Sequence, residues 1–240
     1  MIGIYKTIIS LIIWPIWFTF FVPSLFLLYV LVFIIPPKYF YLIVRPVSWI
    51  YCLLAGQILL IENKPPPLQG QPYLYLFNHV SMFDQFMVGA FISHYITAIG
   101  AEEIFEYPIW GRLIKKYGAI PIKRKRLKSA LKSLDLVEMA MNNGISFIIS
   151  PEGTRTTTGD MGVFKKGPFH LAKNTGITIV PVALLGAYRA KKKNDWRLMP
   201  GIITTKFGDP IKQDEYKSLS VEGIRDLTRA RIERLIKGDN

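Results

Sequence analysis

The chain has 240 residues, half of them hydrophobic, and 30 Lys and Arg against 17 Asp and Glu leave a net charge of +13. Half apolar content excludes a disordered chain, and a single cysteine, Cys52, excludes an intramolecular disulfide and a cysteine-rich zinc module. A charged fraction of 20% is too high for a polytopic channel, so apolar and basic character together point to one segment in a bilayer beside a charged body.

Between Lys6 and Lys38 there is no Asp, Glu, Lys, Arg or His over 31 residues. As one helix this run reaches about 46 Å, longer than a hydrocarbon core of about 30 Å. It exceeds the roughly 7–15 apolar residues of a signal peptide, and no small-residue cleavage site follows it. Pro15 and Pro23 are expected to kink it or split it into shorter pieces. A second charge-free run, Pro46 to Ile61, has 16 residues, marginal against the roughly 20 that a span needs. Trp14, Trp17, Tyr29, Tyr39, Tyr41, Trp49 and Tyr51 along both runs favour headgroup level. Two arrangements fit. In one the first helix spans and the second returns or lies flat; in the other both form a kinked hairpin immersed in one leaflet. The hairpin keeps Lys6, Lys38 and Arg45 near one water interface and is favoured here. Residues 1–61 are therefore read as hydrophobic membrane-binding helices, and residues 62–240 as a separate domain.

The polar, proline-rich stretch from Glu62 to Gly70 marks that boundary. Beyond it, short β-like runs alternate with helical ones. Tyr73–Phe77 reads as a buried strand, Met82–Ile92 as a helix, Tyr95–Gly100 as a strand and Pro108–Tyr117 as a short helix with proline at its start. Gly118–Ile122 is a strand, Leu127–Met141 an amphipathic helix, Ile145–Ser150 a strand and Pro168–Thr175 a helix. Ile177–Leu185 and Ile202–Phe207 are strands, and Val221–Ile236 is a closing helix. The alternation predicts an α/β domain with a mostly parallel central sheet flanked by helices. No Gly-rich phosphate loop of Rossmann or Walker type is present.

Two loops concentrate the chemistry. In Asn78-His79-Val80-Ser81-Met82-Phe83-Asp84 a histidine follows an apolar strand and a carboxylate follows it by five positions. An imidazole can act as a general base near neutral pH, and a carboxylate on its second nitrogen fixes tautomer and orientation. No serine nucleophile accompanies the pair, so the attacking hydroxyl belongs to the substrate. In Ser150-Pro151-Glu152-Gly153-Thr154-Arg155, directly after a strand, one turn holds a carboxylate, a glycine, a hydroxyl and a guanidinium able to fork a phosphate.

These loops, with others in order, resemble the glycerolipid acyltransferase family. Asn78-His79 with Asp84 looks like its His-x4-Asp motif. Gly118-Ala119-Ile120-Pro121-Ile122-Lys123-Arg124 is similar to its second block and Pro151-Glu152-Gly153-Thr154-Arg155 to its third. Phe164-Lys165-Lys166-Gly167 resembles the segment that follows, and Ile179-Val180-Pro181-Val182 the fourth block. Gly208-Asp209-Pro210-Ile211 resembles the family's ending. The resemblance covers roughly residues 73–211. It implies that His79, oriented by Asp84, deprotonates a glycerol hydroxyl that attacks the thioester of acyl-CoA or acyl-carrier protein. It implies an acceptor, 1-acylglycerol-3-phosphate, acylated at its sn-2 hydroxyl to give phosphatidic acid. Its phosphate would be held by Arg124 and Arg155 in a site shaped by Glu152, Gly153 and Thr154. No metal or organic cofactor is implied, and the setting is the cytoplasmic face of a bacterial inner membrane. The alternatives are another lysolipid acceptor, such as a lyso-amino-acid lipid, and a non-catalytic lipid-binding protein of the same fold. One departure stands out: where the family places a lysine, this chain has Ala101 or Glu102, and Lys123, Lys125 and Arg126 are the candidate replacements.

From Tyr107 to Leu134 there is no acid, while nine Lys and Arg occur, Arg112, Lys115, Lys116 and Lys132 among them. With no nucleic-acid motif in the chain, an anionic membrane surface is the expected partner, and an acidic carrier protein could dock at the same place. Lys191-Lys192-Lys193 reads as a loop exposed to headgroups. His170 reads as a packing residue of its helix.

Overall fold

The computed structural model describes residues 2–123 and 127–238. Two long helices lead, α1 (Ile2–Ile34) and α2 (Pro37–Leu54). There follow β1 (Gln57–Glu62), β2 (Tyr73–Phe77), α3 (Asp84–Gly89), β3 (Ile96–Ala101), a 3-10 turn at Glu102–Glu106, α4 (Trp110–Lys116) and β4 (Ile120–Ile122). Next come α5 (Leu127–Asn142), β5 (Ser146–Ile149), α6 (Gly167–Thr175), β6 (Thr178–Leu185) and α7 (Ala187–Ala190). The chain closes with β7 (Gly201–Phe207), α8 (Gln213–Tyr216) and α9 (Val221–Lys237).

Seven strands form one sheet in the order β1-β7-β6-β2-β5-β3-β4. All neighbours run parallel except β6 and β7, which are antiparallel. The α/β class, with a mostly parallel sheet between helices, is thus the one read from the alternation of elements. β2 sits at the centre and is buried on both faces, as a parallel strand covered by helices must be. Its alternate side chains feed two cores. Tyr73, Tyr75 and Phe77 pack with Trp17, Tyr51, Phe83 and Met87 from the side of α1, α2 and α3. Leu74 and Leu76 pack with Val137, Phe169, Ile224 and Ile232 from α5, α6 and α9.

α1 runs unbroken through Pro15 and Pro23 rather than splitting. Near the prolines the Thr19 hydroxyl donates to the Pro15 carbonyl (2.8 Å) and the Ser24 hydroxyl to the Phe20 carbonyl (2.8 Å), the back-bonding of Ser and Thr to a carbonyl one turn earlier. Its 33 residues extend about 50 Å. It is long and apolar enough to cross a membrane. Ile13, Trp17, Leu28 and Val32 form its buried stripe, while Ile4, Ile8, Leu11, Phe18, Phe26 and Val30 are exposed.

The second charge-free run is not one helix. α2 starts earlier, at Pro37, and takes in Lys38 and Arg45; Ala55 and Gly56 end it, and Gln57–Ile61 is edge strand β1, in register with β7. Gly56 has φ +74°, a left-handed turn that a β-branched or bulky residue resists. The sequence offered no other punctuation there, and an apolar run of this length is ambiguous between helix and strand.

Candidate active site

β2 and β5 are parallel neighbours with Leu76 opposite Ile149. The chain therefore leaves both at the same edge of the sheet, as Asn78-His79 from one and Ser150-Pro151-Glu152 from the other. Carboxyl ends of parallel strands are where such sheets bind ligands. Asn78 fixes the exit of β2: its amide donates to the Leu184 carbonyl (3.0 Å) and accepts from the Leu184 N–H (2.7 Å).

The His79 Nδ1–H donates to Asp84 Oδ2 at 2.6 Å. Asp84, in the first turn of α3, also accepts from the N–H groups of Val80 (2.8 Å) and Ser81 (3.0 Å). The two backbone N–H groups can only donate, so they favour the ionised, acceptor-only form of this carboxylate. Burial pushes the Asp84 carboxyl above the usual range, while the His79 ring and the two backbone N–H groups oppose that rise. The Asp84 side chain is 2% exposed and that of His79 28%, so the carboxylate is dry while the imidazole reaches the surface of a cavity. With Nδ1 committed, Nε2 carries the lone pair.

Glu152 braces this arrangement from β5. Its Oε1 accepts from the His79 N–H (2.7 Å) and its Oε2 from the Gly162 N–H (2.7 Å), so both oxygens are engaged with backbone. Burial raises the Glu152 carboxyl and those two N–H groups oppose it. The Thr156 N–H adds a bond to the His79 carbonyl (2.8 Å), giving two links between the two loops. Gly153 lies at φ +70°, and a Cβ there would stand 2.9 Å from Lys165 Nζ, so glycine lets that ammonium lie over the turn. Thr154 is exposed and its hydroxyl accepts from Lys193 Nζ (2.9 Å). Arg155 lines the cavity, and among the described residues it makes no ion pair or side-chain hydrogen bond. Arg124, with Lys125 and Arg126, lies outside the described residues.

Beyond the histidine the cavity is apolar and holds about 960 Å³. Trp17 and Leu28 of α1, Phe40 of α2, and Leu113 and Tyr117 at α4 form its far wall, and His79, Arg155 and Lys165 its polar mouth. The hydrophobic leader thus supplies part of the site as well as an apolar exterior. Ser150, at the end of β5, also lines the cavity, and its Oγ is buried with no partner among the described residues. Nothing in the sequence marked that hydroxyl.

Three basic residues named from the sequence stand as follows. Lys123, a candidate replacement for the family's lysine, pairs with Glu102 at 2.6 Å in a partly exposed ion pair. Lys191 is buried rather than exposed to headgroups, while its neighbour Lys192 is exposed. His170 is exposed at the cavity rather than packed in its helix. Among the described residues no cluster of His, Cys, Asp or Glu could hold a metal.

The chain matches the family model described as Acyltransferase over residues 59–185. It is 32% identical over 188 residues to the 1-acyl-sn-glycerol-3-phosphate acyltransferase of Cocos nucifera, covering 75% of this chain and 61% of that protein. It is 29% identical over 164 residues to the protein of the same name from Pseudomonas aeruginosa, covering 67% of this chain and 62% of that one. The matched region spans less than two thirds of the length of these relatives. The crystal structure of the 1-acyl-sn-glycerophosphate (LPA) acyltransferase PlsC from Thermotoga maritima superposes with a TM-score of 0.85 at 20% identity, over 97% of both chains, which establishes a shared fold.

Proposed function

The chain belongs to the acyltransferase family, and from that membership we propose that it moves an acyl chain from a thioester to the sn-2 hydroxyl of 1-acylglycerol-3-phosphate, giving phosphatidic acid. The observation that carries the reading is the His79–Asp84 pair, 2.6 Å apart, at the mouth of an apolar cavity flanked by cations. The relatives named as 1-acyl-sn-glycerol-3-phosphate acyltransferases support the choice of acceptor.

His79 Nε2 takes the proton of the acceptor hydroxyl as its oxygen attacks the thioester carbonyl carbon. Asp84 stabilises the imidazolium that forms and keeps the ring in register. When the tetrahedral intermediate collapses, the carbon–sulfur bond breaks and the imidazolium returns its proton to the departing thiolate. One ester and one thiol result, and the enzyme regains its starting state. The cavity shelters an acyl chain from water, and Arg155 is placed to fork the acceptor's phosphate, with Arg124 the second candidate. Glu152 and Gly153 shape the mouth through the backbone they hold and the space they leave.

Acyl-CoA and acyl-carrier protein are the two donors whose chemistry fits. The N-terminal helices are assigned to membrane binding, and the setting to the cytoplasmic face of a bacterial inner membrane. That surface presents the lipid acceptor while the donor arrives from water. The test is thiol release by the purified full chain in detergent, with each donor in turn and a panel of lysolipids. Release that requires 1-acylglycerol-3-phosphate supports the assignment. Release with another lysolipid only would move the acceptor, and none with any would leave a lipid-binding protein.

A further inference from the structure

A buried lysine near a guanidinium is an unusual combination, and this molecule has one in a loop bonded to the loop that carries His79. Lys191 follows α7 and is 9% exposed. Its Nζ donates to the Lys192 carbonyl (2.9 Å) and makes no ion pair among the described residues. An ammonium has three donors, so two remain unmatched. The carboxylate in the same loop, Asp195, is committed to Arg197 through bonds of 2.9 and 3.0 Å. Glu152, the carboxylate of the adjoining turn, is committed to backbone.

The placement of Lys191 is built rather than incidental. Its carbonyl accepts from the Ser81 hydroxyl (3.0 Å), and the Ser81 N–H donates to Asp84, so the lysine backbone is tied to the loop that orients His79. Two residues on, Lys193 Nζ donates to the Thr154 hydroxyl, next in sequence to Arg155. Desolvation and repulsion from Arg155 both disfavour the charged form of Lys191 and push its pKa down, with Asp195 opposing them. A cluster that keeps cations together without a partnered carboxylate carries electrostatic strain that a bound anion would relieve.

We propose that Lys191, Arg155 and Lys193 together form a binding site for a phosphate monoester, with Lys191 as its buried cation. Two sources offer that chemistry at this site: the phosphate of the acceptor, and the 3′-phosphate of coenzyme A. The proposal deepens the transferase reading and rests on it for those two sources, but the anion site can be tested without any transfer of an acyl chain.

The experiment compares the full chain in detergent with its Lys191→Met, Lys191→Arg and Lys192→Ala variants. The first removes the charge and keeps an apolar stem, and the last removes an exposed charge one residue away. Affinity is measured by calorimetry for sn-glycerol 3-phosphate and for adenosine 3′,5′-bisphosphate, and thermal midpoints are recorded without ligand. The expected result is a loss of about tenfold or more in affinity for at least one probe in Lys191→Met, the scale of a charge-assisted bond. Lys191→Arg should recover part of it, and Lys192→Ala should stay within about twofold of the parent. The unliganded thermal midpoint of Lys191→Met should rise, since a strained cation has gone. Loss confined to the glycerol phosphate assigns the site to the acceptor, and loss confined to the bisphosphate assigns it to the donor. Unchanged affinity for both probes, or a lowered midpoint with proportionate losses in all three variants, would overturn the proposal. Binding that depends on Lys191 in a protein that transfers no acyl chain would keep the anion site and remove the transferase reading.

Discussion

On the proposed mechanism His79 and Asp84 divide one task, and their substitutions should separate its parts. His79→Ala removes the proton acceptor, and turnover should fall by about 100-fold or more. Asp84→Asn leaves a group of the same shape that cannot balance an imidazolium, so turnover should fall while the protein still binds membrane. Full activity in Asp84→Asn would defeat the dyad. Glu152 predicts a different pattern. Its two oxygens accept N–H bonds from His79 and Gly162, and an amide in its place turns an NH₂ towards a donor. Glu152→Gln should cost about 1–3 kcal/mol of stability and lower kcat more than it raises the acceptor KM. A large rise in acceptor KM alone would instead mean direct contact with substrate. His94 sets a pH dependence far from the chemistry. It is buried beside Tyr75, whose hydroxyl lies 3.4 Å from Nε2, and burial lowers its pKa from 6.5 to about 4. Between those values the unfolded chain binds a proton that the folded chain does not, so stability is lost as pH falls through 6.5 towards 4. Denaturant unfolding at pH 7 and pH 5 should show a loss about 2 kcal/mol larger for the parent than for His94→Gln. Equal losses would place the acid sensitivity elsewhere.

At the scale of elements, α1 is fastened to the loop that carries Lys191. The Ser10 hydroxyl accepts from the buried Leu198 N–H (2.7 Å), and the Trp14 ring N–H donates to the Trp196 carbonyl (2.9 Å). Ser10→Ala strands the Leu198 N–H, which should cost about 1–3 kcal/mol. Hydrogen exchange should speed up at Leu198 and its neighbours and stay unchanged in β2; no local change would mean that the bond is dispensable. Most elements were legible because their apolar periods are clean and bounded by turn residues, and Tyr73–Phe77 is a strand over the expected residues. β1 was not, since it continues an apolar helix with Gly56 as the break, and its strand character comes from pairing with β7, some 140 residues away. The same reason limited the site. His79 and Asp84 are five residues apart and meet across a local turn, so their partnership is visible in sequence. The bracing by Glu152 and the burial of Lys191 depend on the order of β5, β2 and β6 in the sheet, which brings three distant loops to one edge.

For the molecule as a whole, α1 and α2 do two jobs that are separable by experiment. Their exposed apolar side chains give the protein a surface that water does not favour, and their inner stripe walls the cavity behind His79. A simple tether would need only the first. If the helices also set the depth of the cavity mouth, an unrelated spanning helix in place of residues 1–34 should keep the protein on membranes yet misplace the mouth and remove Trp17 and Leu28 from its wall. Ending the exchange at residue 34 matters, because Gln57–Glu62 is part of the sheet and its loss would damage the fold itself. Activity of this chimaera on long-chain acceptor in vesicles should fall by about tenfold or more, on the scale of losing burial of several methylenes at about 0.8 kcal/mol each. Short-chain soluble acceptor and donor, which use less of the wall and need no set depth, should lose much less. A chimaera equally active on both would show that attachment suffices. Equal loss on both would point to damage at His79 rather than to altered depth, and a near-normal thermal midpoint would then be needed to keep any claim for α1 as more than structural support.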